Sequence, residues 1–93
     1  MIVGVLDVDL IISDAHSLKD KRRIIKGLKE RVRHRFNVSV SEVEFADKMR
    51  RSRLGVAMVA ESARPVHTQF DKIVDLIRVT GGVSLVEYER TFF

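Results

Sequence analysis

Cysteine and tryptophan are missing from this chain, and proline, tyrosine, asparagine and glutamine occur once each. Without cysteine there is no disulfide and no thiolate nucleophile, and a cysteine-built zinc site is excluded. The same absence fits a reducing compartment, so a cytoplasmic protein is expected. A single proline, with no Gly- or Ser-rich stretch, leaves no candidate linker, and residues 1–93 read as one domain. No apolar run is long enough to span a membrane. Residues 1–12 are apolar but contain Asp7 and Asp9 and lack a basic start, so they read as a strand and not as a signal peptide. Scarce Asn and Gln beside abundant Lys, Arg and Glu resemble the composition of a thermophile's protein.

What the chain has in excess is positive charge in one place. Between Lys19 and Arg35 stand nine Lys or Arg and two acids, Asp20 and Glu30, a net of +7. The whole chain carries only +4, so the remainder is net −3. A basic element on a mildly acidic body says more about partners than the overall charge does.

Periodicity places the elements. "MIVGVLDVDLII" puts Ile2, Leu6, Val8, Leu10 and Ile12 on one face and Val3, Val5, Asp7, Asp9 and Ile11 on the other, a half-buried strand with its even positions inward. Ser17 stands three residues before Asp20 and predicts a helix start. The helix from Leu18 to Arg35 carries Leu18, Ile25, Leu28, Val32 and Phe36 on one stripe, and Gly27 suggests close packing against a neighbour. "NVSVSEVEF" is a second strand whose parity shift predicts a bulge or a strand end near Ser41. "RLGVAMVAES" is apolar on both sides and reads as a central strand. Pro65 suits the first turn of a second helix, on which Val66, Phe70, Ile73 and Ile77 keep helical spacing. "TGG" stops that helix, and "VSLVEYERTFF" is a last strand. The order β-α-β-β-α-β predicts an α+β, ferredoxin-like fold: a four-stranded antiparallel sheet with two helices on one face.

Wound at 100° per residue, Lys19, Arg22, Arg23, Lys26, Lys29 and Arg33 form a ridge over an arc of about 120° on one flank of the first helix. Such a ridge can follow phosphates on RNA, in a salt-sensitive and weakly sequence-specific way. Arg50, Arg51 and Arg53 in the following connection extend the candidate footprint. The plainer reading is a solvated helix face. Lys21 lies close to the apolar stripe, where its stem can be buried or its ammonium can pair with an acid at the sheet edge. His34 sits at the helix C-terminus, where the dipole favours a cation.

Enzymatic and cofactor motifs are absent. The three histidines are far apart and show no metal-ligand spacing, no serine stands in a nucleophile elbow, and Gly81-Gly82 is followed by no helix. The loop after the first strand lacks the arginine that an acylphosphatase needs. The two strands expected at the sheet centre carry no aromatic on which RNA bases could stack. No catalytic residue, metal or small-molecule cofactor is therefore expected. Asp7 and Asp9 with Glu87 and Glu89 could form a cation site only if the last strand presents its acids on the open face, and ordinary surface acids are the simpler reading. The open face around Val3, Val5 and Ile11 offers an alternative role, a homodimeric interaction module without nucleic acid.

At "SLKDKRRIIKGLKERVRHRFNVSVSEVE" the chain resembles the YlxP-like family of small bacterial proteins of unknown function. The resemblance rests on an S-L-K-x-K-R helix start and an R-x-R-x-R-F-N-V-S-V-x-E run, here Ser17, Leu18, Lys19, Lys21, Arg22, Arg31, Arg33, Arg35, Phe36, Asn37, Val38, Ser39, Val40 and Glu42. It extends through "MIVGVLDVDL" and "LGVAMVA" to nearly the whole chain. It implies a ferredoxin-like fold. Because members are often encoded among translation and ribosome-maturation factors, it also points toward RNA or a ribosomal subunit as partner. It supplies no catalytic residues. Relatives often have Asp-Trp where this chain has Asp47 followed by Lys48, so an aromatic contact at that loop is not expected here.

Overall fold

A computed structural model describes residues 1–93. Six elements follow in the order β1 (Ile2–Ile12), α1 (Leu18–Arg35), β2 (Ser39–Glu44), β3 (Arg51–Ala60), α2 (Ala63–Arg78) and β4 (Val83–Phe92). The strands form one antiparallel sheet in the order β2-β3-β1-β4, with the first and third strands central as expected. This is the ferredoxin-like α+β arrangement. Both helices cover one face of the sheet and leave the other open.

The even positions of β1 do point inward. Leu6, Val8, Leu10 and Ile12 are fully buried and meet Ile25, Leu28 and Val32 of α1 and Val66, Phe70, Ile73 and Ile77 of α2 in a single core. The pattern that makes each element amphipathic is thus what decides its place.

Three local expectations change. The bulge in β2 lies between Glu42 and Glu44, two residues beyond the expected position, so Val43 is the extra residue. The third strand begins at Arg51, which shortens the polar connection before it and puts Arg51 and Arg53 on a strand. A Cβ at Gly27 would meet nothing within 4 Å, so this glycine does not mark close packing. The close approaches are elsewhere. Gly82 has φ +77°, and a Cβ there would lie 2.5 Å from Asp14 Oδ2.

The start of α1 is capped as predicted. Ser17 is extended, its Oγ accepts from Asp20 N at 3.0 Å, and Asp20 Oδ2 accepts in return from His16 N at 3.3 Å. Ser17→Ala removes the acceptor for one orphan helix N–H, at an expected cost of about 1 kcal/mol. Thermal unfolding should therefore show a midpoint about 4–8 °C lower. An unchanged midpoint would mean that the cap contributes nothing.

Candidate nucleic-acid interface

The ridge on α1 is exposed along its length. Lys19, Arg22, Arg23, Lys26 and Arg33 are open to solvent and Lys29 is half-buried. Arg23 stands 3.8 Å from Asp20, and Arg33 donates to the carbonyl of Val40 at 3.1 Å. Lys19, Arg22, Lys26 and Lys29 have no acid within ion-pair distance. The Arg33 bond also fixes where the ridge lies, because Val40 belongs to edge strand β2. The ridge runs along that edge, while Arg31 on the opposite flank reaches Thr80 beyond α2.

The nearby connection between β2 and β3 is held against the beginning of α1. Lys21, fully buried, extends from α1 to Glu42 at 2.6 Å and donates to the carbonyls of Phe45 at 2.7 Å and Ala46 at 3.4 Å. Ser52 Oγ donates to the same Glu42 oxygen at 2.6 Å. The acid at the sheet edge toward which Lys21 leans is therefore Glu42. Phe45 adopts φ 65°, a left-handed conformation rare for an aromatic residue. Its carbonyl accepts from Lys21 Nζ and from Lys48 N, and the guanidinium of Arg51 lies 4.0 Å over its ring. Arg50 Nε donates to the carbonyl of Ala15 at 3.2 Å, a second tie between this connection and the helix start. Lys48 and Arg50 are thereby brought to the N-terminal end of the ridge, and both are exposed, while Arg51, opposite Ile11, belongs to the open sheet face.

Arg53 does something else. It lies on the open sheet face, with Nε 2.9 Å from Asp9 Oδ1, Nη2 donating to Asp9 Oδ2 at 3.2 Å and Nη1 donating to Glu44 at 3.1 Å. Asp9 above all raises the pKa of this guanidinium, desolvation opposes it next, and Glu44 and then Asp7 add to the rise. A group whose pKa is raised keeps its stabilising charge at every pH below its ordinary value, so this ion pair is insensitive to pH near neutrality. Its charge is already met by carboxylates.

The register resolves the face of the last strand. Asp7 stands opposite Glu89 and Asp9 opposite Glu87, so all four acids share the open face. Strand β4 has its own irregularity between Leu85 and Glu87, which is why its alternation was ambiguous. No group of three or more His, Asp or Glu is close enough to hold a metal ion. On the same face Val3 and Val5 stand opposite Val59 and Ala57, whereas Ile11 stands opposite Arg51 at the other end of β1. The acids of the middle rows separate them, so the three residues do not form one continuous apolar patch. No helix is long and apolar enough to cross a membrane.

The fold and this surface define a small ferredoxin-like protein with a basic flank on its first helix and an acidic open sheet. The chain belongs to the family described as Protein of unknown function (DUF503), whose model matches residues 3–90. It is 35% identical over 89 residues to Uncharacterized protein YlxP of Bacillus subtilis (strain 168), which covers 96% of this chain and 91% of that protein. Among solved structures it is similar in fold to LarC2, the C-terminal domain of a cyclometallase involved in the synthesis of the NPN cofactor of lactate racemase, in its apo form. That likeness has a TM-score of 0.50 at 6% identity and covers the whole of this chain but 55% of the other. At that identity it bears on the fold alone.

Proposed function

We propose that this protein is a non-catalytic RNA-binding factor acting on the ribosome, with the α1 ridge as its contact surface. The observation that carries the reading is the unpaired row of Lys19, Arg22, Lys26 and Lys29. Like charges at helical spacing repel by a few tenths of a kcal/mol per pair, and a surface serving only solubility would pair them with acids. Five acids, Asp7, Asp9, Glu44, Glu87 and Glu89, lie on the open face across the sheet instead, and Glu30, the acid of α1 nearest the ridge, is in ion-pair contact with none of its cations. Phosphates would meet these four residues, with Arg33 at one end and Lys48 and Arg50 at the other, whereas Arg51, opposite Ile11, lies on the open face. Arg53 falls outside the footprint because Asp9 and Glu44 occupy it. Arg23 stands at its margin beside Asp20.

The test is co-sedimentation with ribosomal subunits at low salt. Arg22→Glu/Lys26→Glu reverses two charges that no other residue holds, so the fold is expected to be unaffected. Apparent affinity should fall by at least about tenfold, and the salt dependence of log K should flatten by about two phosphate contacts. Undiminished sedimentation of the double variant, or none by the unmodified protein, removes the reading.

A further inference from the structure

The ridge differs from most single-strand binding surfaces in carrying no Phe, Tyr or Trp on which a base could stack, only guanidinium planes and, beside its C-terminal end, the exposed His34. Phe70 is buried in the core, and Phe36 is partly buried against it. The ring of Phe45 is covered by Arg51. The exposed aromatics, Tyr88 and Phe93, are on or just beyond β4, at the opposite edge of the sheet from β2 and the ridge. The open sheet face, which a base-reading domain of this fold would use, presents Asp7, Asp9, Glu44, Glu87 and Glu89 against Arg51 and Arg53. It repels a polyanion.

A flexible single strand must be ordered before its phosphates can follow a rigid row of cations, and single-strand binders offset that cost by stacking bases on aromatic rings. Here the Phe, Tyr and Trp platforms that supply most of that compensation are missing. A duplex already holds its phosphates in fixed positions and turns its bases inward, so it needs only the charges. From Lys19 to Arg33 the ridge is about 21 Å long on a straight helix, with the basic connection pinned at its N-terminal end by Lys21 and Arg50. We infer that the ligand of this surface is double-stranded RNA, bound through its backbone, and not a single strand or an extruded base. The inference rests on the ridge reading above and specifies its ligand.

Fluorescence anisotropy separates the two. The probes are an RNA duplex of about 16 base pairs, its two unstructured strands, and the same duplex with one bulged base. The perfect duplex is expected to bind at least about tenfold tighter than either strand, since stacking on even one or two bases is what the strands lack. The bulged duplex should bind no tighter than the perfect one, and Arg22→Glu/Lys26→Glu should weaken both equally. Single strands binding as well as the duplex, or a clear gain from the bulge, would overturn the inference while leaving the ridge as an RNA surface. Absence of binding to every probe at about 50 mM salt would overturn the ridge reading and this inference together.

Discussion

Glu42→Ala is expected to lower stability by about 3 kcal/mol or more, which for a domain of this size lowers the thermal midpoint by at least about 12–24 °C. The reason is what it leaves behind. Lys21 is fully buried, and its ammonium has Glu42 as its only counter-ion, supplemented by the carbonyls of Phe45 and Ala46. Removing the carboxylate strands a positive charge in the interior and takes the acceptor from Ser52 Oγ as well. Lys21→Met is expected to cost less, because the Glu42 side chain keeps 15% of its surface in water and can be solvated there. It still takes one of the two donors from the carbonyl of Phe45, a strained left-handed residue, and leaves that of Lys48 N. The double variant Lys21→Met/Glu42→Leu replaces the pair with apolar side chains and should be more stable than Glu42→Ala alone. Urea unfolding of Glu42→Leu, Lys21→Met and the double variant, which close a double-mutant cycle, measures this directly. Additive losses would show that the two groups do not stabilise each other.

This pair marks how far the sequence could be read. The lean of Lys21 toward the core follows from its position on the helix, within the arc of Ile25, Leu28 and Val32. Its partner depends on which strand lies at that edge and in what register, a long-range property that no local pattern encodes. The same holds for Arg53. In the sequence it belongs to a basic run, "RRSR", yet the antiparallel pairing of β1 with β3 sets it opposite Asp9 and takes it out of that run. The element order was legible because four of the six elements, β1, α1, β3 and α2, are cleanly amphipathic or uniformly apolar. The face of the last strand was not, because one extra residue at its bulge reverses the parity on which such a reading depends. Of the ridge, the geometry of a single helix already gave the alignment. Only the assembled structure distinguishes four unpaired cations from two that have partners, and gathers five acids on the open face.

Gly4→Ala should destabilise the protein by about 2 kcal/mol and Gly4→Val by about 3 kcal/mol, although glycine to alanine within a strand ordinarily stabilises. Gly4 is an inward position of β1 with no side chain, flanked by Met58 on β3 and Phe92 on β4. An added Cβ would fall inside the contact distance of Val66 Cγ1 and lie 3.3 Å from two ring carbons of Phe70. Both neighbours are fully buried on α2, and a β-branched residue such as Val66 strongly prefers one rotamer in a helix, so withdrawing it is costly. Overpacking therefore outweighs the entropy that alanine would save in the unfolded chain, and the first turn of α2 has to lift from the sheet. If that is the cause, removing the obstacle should remove the cost. Gly4→Ala/Val66→Ala is expected to be about as stable as Val66→Ala alone, a coupling of about 1 kcal/mol or more, because the new methyl fills part of the space that the valine leaves. Thermal and urea unfolding of the three variants decide the matter. Simple addition of the two losses would mean that Gly4 is required by its backbone and not by the closeness of α2.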